Sequence, residues 1–187
     1  MTPTRTVVLA LGSNLGDRLA NLQRGLDVLG GRQPGEDPGL ALTAVSAVYQ
    51  TEPVGGPEQD DYYNAVALAD SALPASAILS RCFAAEAAAG RVRTVRWGPR
   101  TLDVDLIACG DEVSTAAELT LPHPRAHERA FVLAPWLELD RRAVLPGHGP
   151  VAGLLEAVST AGLQRRPELR LSLPDQHGLA QTGPPCR

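Results

Sequence analysis

The residues with the clearest chemical potential are two acids, Asp103 and Asp105, which close a segment (91–105) that also holds four arginines and a tryptophan. The acids alternate with apolar residues in a run, 102–108, that is typical of a β-strand. Because residues two apart on a strand point to the same face, about 6.6–7 Å apart, the two carboxylates should leave the sheet side by side. Two acids on one face are costly unless a cation lies between them. The pattern indicates Mg²⁺ held by two carboxylates beside phosphate-binding arginines, with a solvated basic loop next to an acidic strand as the alternative.

The composition limits the kinds of site that this chain can build. Its 187 residues include 17 arginines and no lysine, and the formal net charge is −4. A Walker-type phosphate loop needs a lysine, so that device is excluded, and any anion site must be local because the surface as a whole is not basic. The three cysteines form no CxxC pair, and no apolar run is long enough to span a membrane. We therefore expect a cytoplasmic protein without a membrane or nucleic-acid partner.

Strands and helices are predicted to alternate around this segment. Short apolar runs predict strands, and leucine- or alanine-rich stretches predict helices. The predicted strands cover residues 6–11, 41–52, 62–69 and 101–109, and the predicted helices cover 15–29, 75–89, 125–139 and 151–161. The order strand–helix–strand, strand–helix–strand matches an α+β fold, a ferredoxin-like split βαβ sheet with helices packed on one face.

Local signals refine the boundaries of these elements. Asn14 is predicted to cap the first helix, and Pro74 is predicted to open the second. Pro135 is expected to interrupt the third helix, because proline lacks the backbone N–H that a helix needs. We expect one domain over residues 1–164 and a partly disordered C-terminal tail over 165–187.

Several short motifs occur in an order and at a spacing that resemble one enzyme family, 6-hydroxymethyl-7,8-dihydropterin pyrophosphokinase of folate biosynthesis. The likeness runs from about residue 6 to 160, and it rests on segments 11–16 (LGSNLG), 91–93 (RVR), 96–105 (RWGPRTLDVD) and 121–131 (LPHP, then R and F). The resemblance implies a ferredoxin-like fold, ATP as co-substrate and two Mg²⁺ ions. It also implies transfer of the β,γ-pyrophosphoryl group to the hydroxymethyl oxygen of the pterin, with AMP as the other product.

The resemblance carries roles onto the charged residues of this chain. It assigns Asp103 and Asp105 to metal binding, and Arg91 and Arg100 to catalysis at the transferring phosphates. Planar guanidinium groups suit phosphate oxygens that gain charge in the transition state. The resemblance places further residues around ATP, namely Glu86, Arg93, Leu106, Thr120, His123 and Arg129. For His123, an ordinary capping or core histidine is the alternative.

The resemblance also implies a pterin slot. Trp97 and Phe131 would stack on the two faces of the flat ring, and the amide of Asn64 would read its donor and acceptor edge. The pocket wall would consist of Thr51, Pro53, Val54 and Tyr62. Ordinary core packing is the alternative for the two aromatic residues.

The chain departs from the family pattern at a few positions. The arginine loop is one residue shorter between Arg93 and Arg96, Pro124 stands where an aromatic is common, and His127 stands where a lysine is common. The loops 52–60 and 91–99 are candidates for lids that close over substrates.

Three alternative functions remain open from the residues alone. Another Mg²⁺-dependent transferase with an Asp-x-Asp motif would use a nucleotide but would not need the pterin set. A ferredoxin-like module could instead bind RNA or a small regulatory ligand. A Zn²⁺ site could form from His123, His127 and Cys109. On the favoured interpretation the partners are small-molecule substrates only, and the protein is a monomer.

Overall fold

A six-stranded antiparallel sheet organises the chain. The computed structural model describes residues 3–31, 39–53, 55, 57–91 and 98–174. Numbered in chain order, the strands of this sheet are β1 (Arg5–Ser13), β2 (Ala41–Val45), β3 (Val48–Thr51), β4 (Tyr62–Ser71), β5 (Asp103–Cys109) and β10 (Gln164–Arg166). Their order is β10-β3-β4-β1-β5, and β2 also pairs with β4. The four remaining strands form two small hairpins, β6 (Ser114–Ala116) with β7 (Leu119–Leu121) and β8 (Val144–Leu145) with β9 (Gly149–Pro150).

Helices cover both faces of the sheet. Helices α1 (Arg18–Gly30) and α2 (Ala75–Ala88) pack on one face, and α3 (Ala130–Leu139) and α4 (Val151–Ala157) pack on the other. Two separate core clusters result. The predicted ferredoxin-like sheet is confirmed. The prediction that helices cover only one face was wrong, because α3 and α4 form a layer on the second face.

The sequence of β1 explains why it lies inside the sheet. Val7, Leu9 and Leu11 belong to the core cluster under α1 and α2, whereas Val8 and Ala10 belong to the cluster under α3 and α4. A strand that is buried on both faces is apolar at successive positions rather than at alternate ones. The run of apolar residues in β1 therefore predicts a central strand, which is where it lies.

Two predicted element boundaries in the first half of the chain are corrected by the structure. Helix α1 starts at Arg18 and its capping side chain is Asp17, which accepts from the Ala20 N–H at 3.0 Å, so the capping role predicted for Asn14 was wrong. The single strand predicted over 41–52 is two strands, separated where the Ser46 Oγ accepts from the Val66 N–H at 3.0 Å.

The third helix also differs from its prediction. A short 3₁₀ turn (Ala126–Glu128) precedes α3, which starts at Ala130 and continues through Pro135 to Leu139. Pro135 removes one backbone hydrogen bond, but α3 continues through it, so the predicted interruption was wrong.

The C-terminal part of the described chain packs onto the domain. The predicted domain boundary at residue 164 falls inside β10, which pairs with β3. Beyond it, Leu169, Leu171 and Leu173 pack against the core cluster under α1 and α2. The Ser172 N–H donates to the Gln23 side chain on α1 at 2.9 Å. The predicted tail beyond residue 174 lies outside the described residues.

Candidate active site

The register of three strands places the two halves of the site in one row. Gly12 of β1 lies opposite Asn64 on β4 and opposite Asp103 on β5. Since glycine has no side chain, Gly12 forms a floor between the two polar residues. A Cβ atom added at Gly12 would lie 3.2 Å from the Asn64 Oδ1 and 3.8 Å from a ring carbon of Tyr62. The sheet therefore presents a carboxylate and an amide on either side of an open strip.

Asp103 is held between two arginines. Its two carboxylate oxygens accept separately from Arg91 and from Arg100. Arg91 follows the C-terminal end of α2 and also pairs with Glu86. Burial opposes the positive charge of Arg100, but the Asp103 carboxylate more than offsets burial and raises the pKa of Arg100. The predicted catalytic arginines and the first predicted metal ligand thus meet in one ionic cluster.

Asp105 has its own pair of basic neighbours. The Arg129 Nη1 lies 3.1 Å from the Asp105 Oδ2, and the His123 Nε2 lies 3.7 Å from the same oxygen. Burial lowers the pKa of His123, and the nearby Asp105 offsets this only in part. The lowered pKa favours the neutral imidazole, and Arg129 supplies a positive charge beside Asp105.

The donor set at β5 fits a hard divalent cation. The side chains of Asp103 and Asp105 are 23% and 34% exposed, so a solvated ion has access to both carboxylates. Carboxylate oxygens are the ligands that Mg²⁺ prefers, and it usually keeps only one or two of them when it also binds phosphates. Across the described parts of the chain, no cluster of three or more His, Cys, Asp and Glu could hold a metal ion. The suggested Zn²⁺ site is contradicted, because Cys109 lies in the core cluster under α1 and α2.

Glu86 orders the edge of β5 rather than facing the open strip. This carboxylate is 5% exposed and accepts from the Val104 N–H at 3.0 Å, in addition to pairing with Arg91. Because β5 is an outer strand, its free backbone donor needs a partner, and Glu86 supplies one. Glu86 thus holds Arg91 in place, and the contact with ATP implied by the family resemblance stays a prediction.

The neutral half of the site is built on β3 and β4. The Asn64 Nδ2 donates to the Thr51 Oγ1 at 2.9 Å and to the Tyr49 carbonyl at 3.3 Å. A carbonyl can only accept, so these two partners fix the orientation of the amide and turn its oxygen toward Gly12. Phe131 is half-buried at the start of α3, and the Arg129 guanidinium lies 5.6 Å from its ring centroid. An oriented acceptor and an aromatic face thus lie on the α3 side of the sheet.

Asn14 joins three loops, a role that its local sequence does not reveal. Its Oδ1 accepts from the Arg100 N–H at 2.7 Å, and its Nδ2 donates to the Gln59 side chain at 2.8 Å. A cleft of about 370 Å³ opens here and is lined in part by Asn14, Gln59 and Pro99. Asn14 is only 1% exposed, and its hydrogen bond to the Arg100 N–H fixes the position of the Arg100 backbone shortly before β5.

The remaining predicted site residues differ in how they are placed. The Leu106 side chain is 3% exposed in the core, so only its backbone could face a ligand. Thr120 is exposed on β7 and donates to the Ala116 carbonyl at 3.3 Å, and Pro53 is half-buried after β3. The predicted site residues Arg93, Val54 and Trp97 lie outside the described residues, as does Arg96.

Comparisons with known proteins show which proteins this chain is similar to. A family model described as 7,8-dihydro-6-hydroxymethylpterin-pyrophosphokinase (HPPK) matches residues 8–141. The chain is 47% identical over 168 residues to a 2-amino-4-hydroxy-6-hydroxymethyldihydropteridine pyrophosphokinase of Mycobacterium tuberculosis, which covers 83% of this chain and 85% of the relative. A relative of the same name from Pseudomonas aeruginosa is 37% identical over 161 residues, covering 86% of this chain and 96% of the relative.

Solved structures share the fold at low sequence identity. A crystal structure of HPPK-DHPS in complex with substrates superposes with a TM-score of 0.60 at 9% identity, over 83% of this chain. Plasmodium falciparum HPPK-DHPS, wild type with pteroate, superposes with a TM-score of 0.60 at 12% identity, over 84% of this chain. This chain spans 43% of the length of either of those chains. The structural likeness supports the fold, and the family match with its relatives shows that the chain belongs to the 7,8-dihydro-6-hydroxymethylpterin-pyrophosphokinase family.

Proposed function

We propose that the chain transfers pyrophosphate from ATP to 6-hydroxymethyl-7,8-dihydropterin, in folate biosynthesis, on the strip between Asp103 and Asn64. The single observation that carries this assignment is the row Asn64–Gly12–Asp103 across β4, β1 and β5. It sets an oriented amide acceptor and a metal-binding carboxylate on either side of a residue that has no side chain. A flat ring and a charged phosphate chain can therefore meet over Gly12.

The nucleotide side would bind and orient the triphosphate. Asp103 and Asp105 would hold two Mg²⁺ ions, which neutralise charge on the phosphate oxygens when bound. Arg91 and Arg100 then exchange the Asp103 carboxylate for phosphate oxygens, which present the same charge and a similar geometry. Glu86 keeps Arg91 pointed toward the strip during this exchange.

The transfer step forms one P–O bond and breaks another. The pterin hydroxymethyl oxygen forms a bond to the β-phosphorus and loses its proton to water, while the bond from that phosphorus to the α–β bridging oxygen breaks and AMP leaves with that oxygen. Negative charge builds up on the bridging oxygen and on the other oxygens of the β-phosphate. Arg91 and Arg100 would stabilise this charge, and such electrostatic stabilisation is often the largest contribution to catalysis.

The pterin would occupy the neutral side. Asn64 would accept an N–H of the ring through its Oδ1, with Thr51 and Tyr62 at the edge of the pocket. Phe131 would stack on one face, and the family resemblance gives Trp97 the other. Because both amide protons of Asn64 are already bonded to β3, the residue would present only its oxygen to the ligand.

The direct test supplies ATP, Mg²⁺ and 6-hydroxymethyl-7,8-dihydropterin and identifies the nucleotide product. AMP is expected together with the pterin diphosphate. ADP would indicate a simple kinase, and either ADP or the absence of turnover would refute the proposal. A companion variant, Asn64→Leu, should raise the KM for the pterin and leave the KM for ATP within about two-fold, since a leucine of similar volume lacks the acceptor.

The alternative binding-module function is disfavoured by the fold. An RNA-binding sheet needs one open face with exposed aromatic residues. Here helices pack on both faces, and the accessible strip carries two carboxylates.

In the described part of the chain, no helix is long and apolar enough to cross a membrane. A monomeric enzyme acting in the cytoplasm completes the proposal, and the buried free thiols of Cys82 and Cys109 agree with a reducing compartment.

A further inference from the structure

The C-terminal strand β10 joins the domain at the edge of the strand that orients Asn64. Strand β3 has only four residues and three paired positions with β4. Without β10 it would be a short edge strand, and such strands are weakly held. Pairing with β10 gives β3 a neighbour on each side. The position of the Thr51 hydroxyl and the Tyr49 carbonyl, and with them the Asn64 amide, depends on how firmly β3 is held.

Two consecutive arginines of β10 anchor it on opposite faces of the sheet. On the α3 face, Arg165 binds both carboxylate oxygens of Glu138, at 3.1 and 3.2 Å. The same carboxylate accepts from the Tyr49 hydroxyl at 2.8 Å and from the Ala47 N–H at 3.1 Å. One carboxylate of α3 thus ties β10 to β3 with four hydrogen bonds, two of them to residues of β3 and the turn before it.

On the α1 face, Arg166 begins a second chain of contacts. It donates to the Gln50 side-chain oxygen, and the Gln50 amide donates to the Asp61 carboxylate at 2.6 Å. The Arg18 guanidinium in turn donates to the Asp61 carbonyl at 2.7 Å and lies 3.9 Å from the Tyr63 ring centroid. This series of contacts extends to Asp61, the residue before Tyr62, where β4 begins beside the proposed pterin pocket.

We propose that Arg165 and Arg166 are positioning residues for the pterin pocket. They act through β3 and the start of β4, and they touch neither substrate. Their contacts lie on the pterin side of the sheet, with β4 and β1 between them and the acids of β5. The inference rests on the proposed placement of the pterin at Asn64. It adds that affinity for the pterin, and not for ATP, depends on β10.

The test compares substrate constants in single and double variants of the full chain. Arg165→Gln and Arg166→Gln should each raise the KM for the pterin about three-fold, and the double variant about ten-fold, as expected when a partly exposed ionic network is lost. The KM for ATP and kcat should stay within about two-fold of the wild type. Arg170→Gln, an exposed arginine of the same segment, is the matched control and should change neither KM.

Two further variants separate positioning from general stability. Leu145→Ala removes a fully buried side chain from the core under α3 and α4 and should lower Tm, at a residue that belongs neither to the contacts of β10 nor to the proposed pterin set. If the KM for the pterin rises in Leu145→Ala as it does in the double variant at an equal loss of Tm, the positioning role is refuted. Arg166→Lys keeps the charge but loses the planar fork, and it should recover part of the pterin affinity.

The side-chain amide of Asn64 gives a direct readout. Its two N–H signals should shift or exchange faster in the double variant, because their acceptors on β3 move. Unchanged Asn64 signals together with an unchanged KM for the pterin would overturn the inference while leaving the transfer reaction intact. Loss of AMP formation in the wild type would instead contradict the proposed function, so the two failures are distinguishable.

Discussion

On the β5 side of the site, charged groups satisfy one another, whereas on the β4 side a neutral amide is satisfied by the backbone and a hydroxyl. Asp103 accepts from Arg91 and Arg100, and Asp105 pairs with Arg129. Asn64 instead donates both amide protons to acceptors on β3, and its oxygen is directed at Gly12.

The difference shows two ways of keeping a site ready for a ligand. Removing one partner of a partly buried ion pair leaves the other charge unpaired, so the acids of β5 and their arginines hold one another in place. On the proposed function, phosphate and metal would replace those partners. The amide at β4 would need no such exchange, since its N–H groups bond to β3 and its oxygen is free to accept from a ligand. Preset polar groups lower the cost of ordering on binding. On the proposed function, the phosphate side would exchange partners when ligands bind, whereas the pterin side would keep its contacts.

Removing an acid of β5 should have the largest effect. Asp103→Ala or Asp105→Ala should slow turnover roughly 10³-fold or more, since metal-assisted charge stabilisation contributes several kcal/mol to phosphoryl transfer. Circular dichroism should show an intact fold. Asp111→Ala, an exposed acid beyond the end of β5, is the control and should remain active. Full activity of either site variant with ATP and Mg²⁺ would remove the metal assignment.

Arg91→Ala should slow the chemical step more than it weakens ATP binding. The expected loss is roughly 10²-fold in the single-turnover rate, typical of removing one donor to developing charge. ATP affinity should fall by less than about ten-fold, because Arg100 and Arg129 remain. Rapid-quench kinetics and calorimetry measure the two quantities, with Arg24→Ala on the exposed face of α1 as the control. A large loss of ATP affinity at an unchanged single-turnover rate would contradict this role.

Gly12→Ala probes the boundary between the two halves. The new methyl group would lie 3.2 Å from the Asn64 Oδ1, closer than ordinary contact, so the amide must shift. We expect the KM for the pterin to rise about ten-fold, which corresponds to about 1.4 kcal/mol. ATP binding should change little. Gly153→Ala, where a methyl group meets open space on α4, is the matched control. An equal rise in both KM values would mean that the halves are not separable.

The smallest expected effect concerns stability at high pH rather than turnover. Burial, and then the Glu138 carboxylate, raise the pKa of Tyr49 to about 12. In the unfolded chain this phenol loses its proton near pH 10, so the unfolded state is favoured increasingly between pH 10 and 12. The stabilisation present below pH 10 is lost as pH rises through that window, on the order of 1–2 kcal/mol.

Tyr49→Phe should flatten this part of the pH dependence. Urea unfolding at pH 9 and pH 11.5 measures the change, and Tyr63→Phe on the opposite face of the sheet serves as the control. If the wild type and Tyr49→Phe lose the same free energy of unfolding between those pH values, Tyr49 is not the group responsible.

Local patterns were sufficient for the parts of the fold that depend on near neighbours. The two-residue period of a strand places Asp103 and Asp105 on one face and Leu102, Val104 and Leu106 in the core, and the structure agrees. The leucine-rich stretch predicted as the first helix also forms one, with Leu22, Leu26 and Leu29 buried. Each of these depends on backbone geometry over a few residues, which a sequence encodes directly.

Asn14 shows why local patterns fail elsewhere. An asparagine before a helix is a good cap, and the same residue is an equally good link between loops. The choice between the two was made by partners 45 and 86 residues away, Gln59 and Arg100. The helices α3 and α4 were likewise predicted as helices, but the face of the sheet that they cover depends on long-range packing.

By itself, the sequence determined which side chains could hold a cation and phosphate, and which family pattern they match. The tertiary structure decided how these groups meet: Gly12 between Asn64 and Asp103, Glu86 behind Arg91, and β10 beside β3. The physical reason is that strand register and ion pairing join segments that are distant along the chain. Their energies depend on the packed core as a whole, which no short stretch of residues encodes.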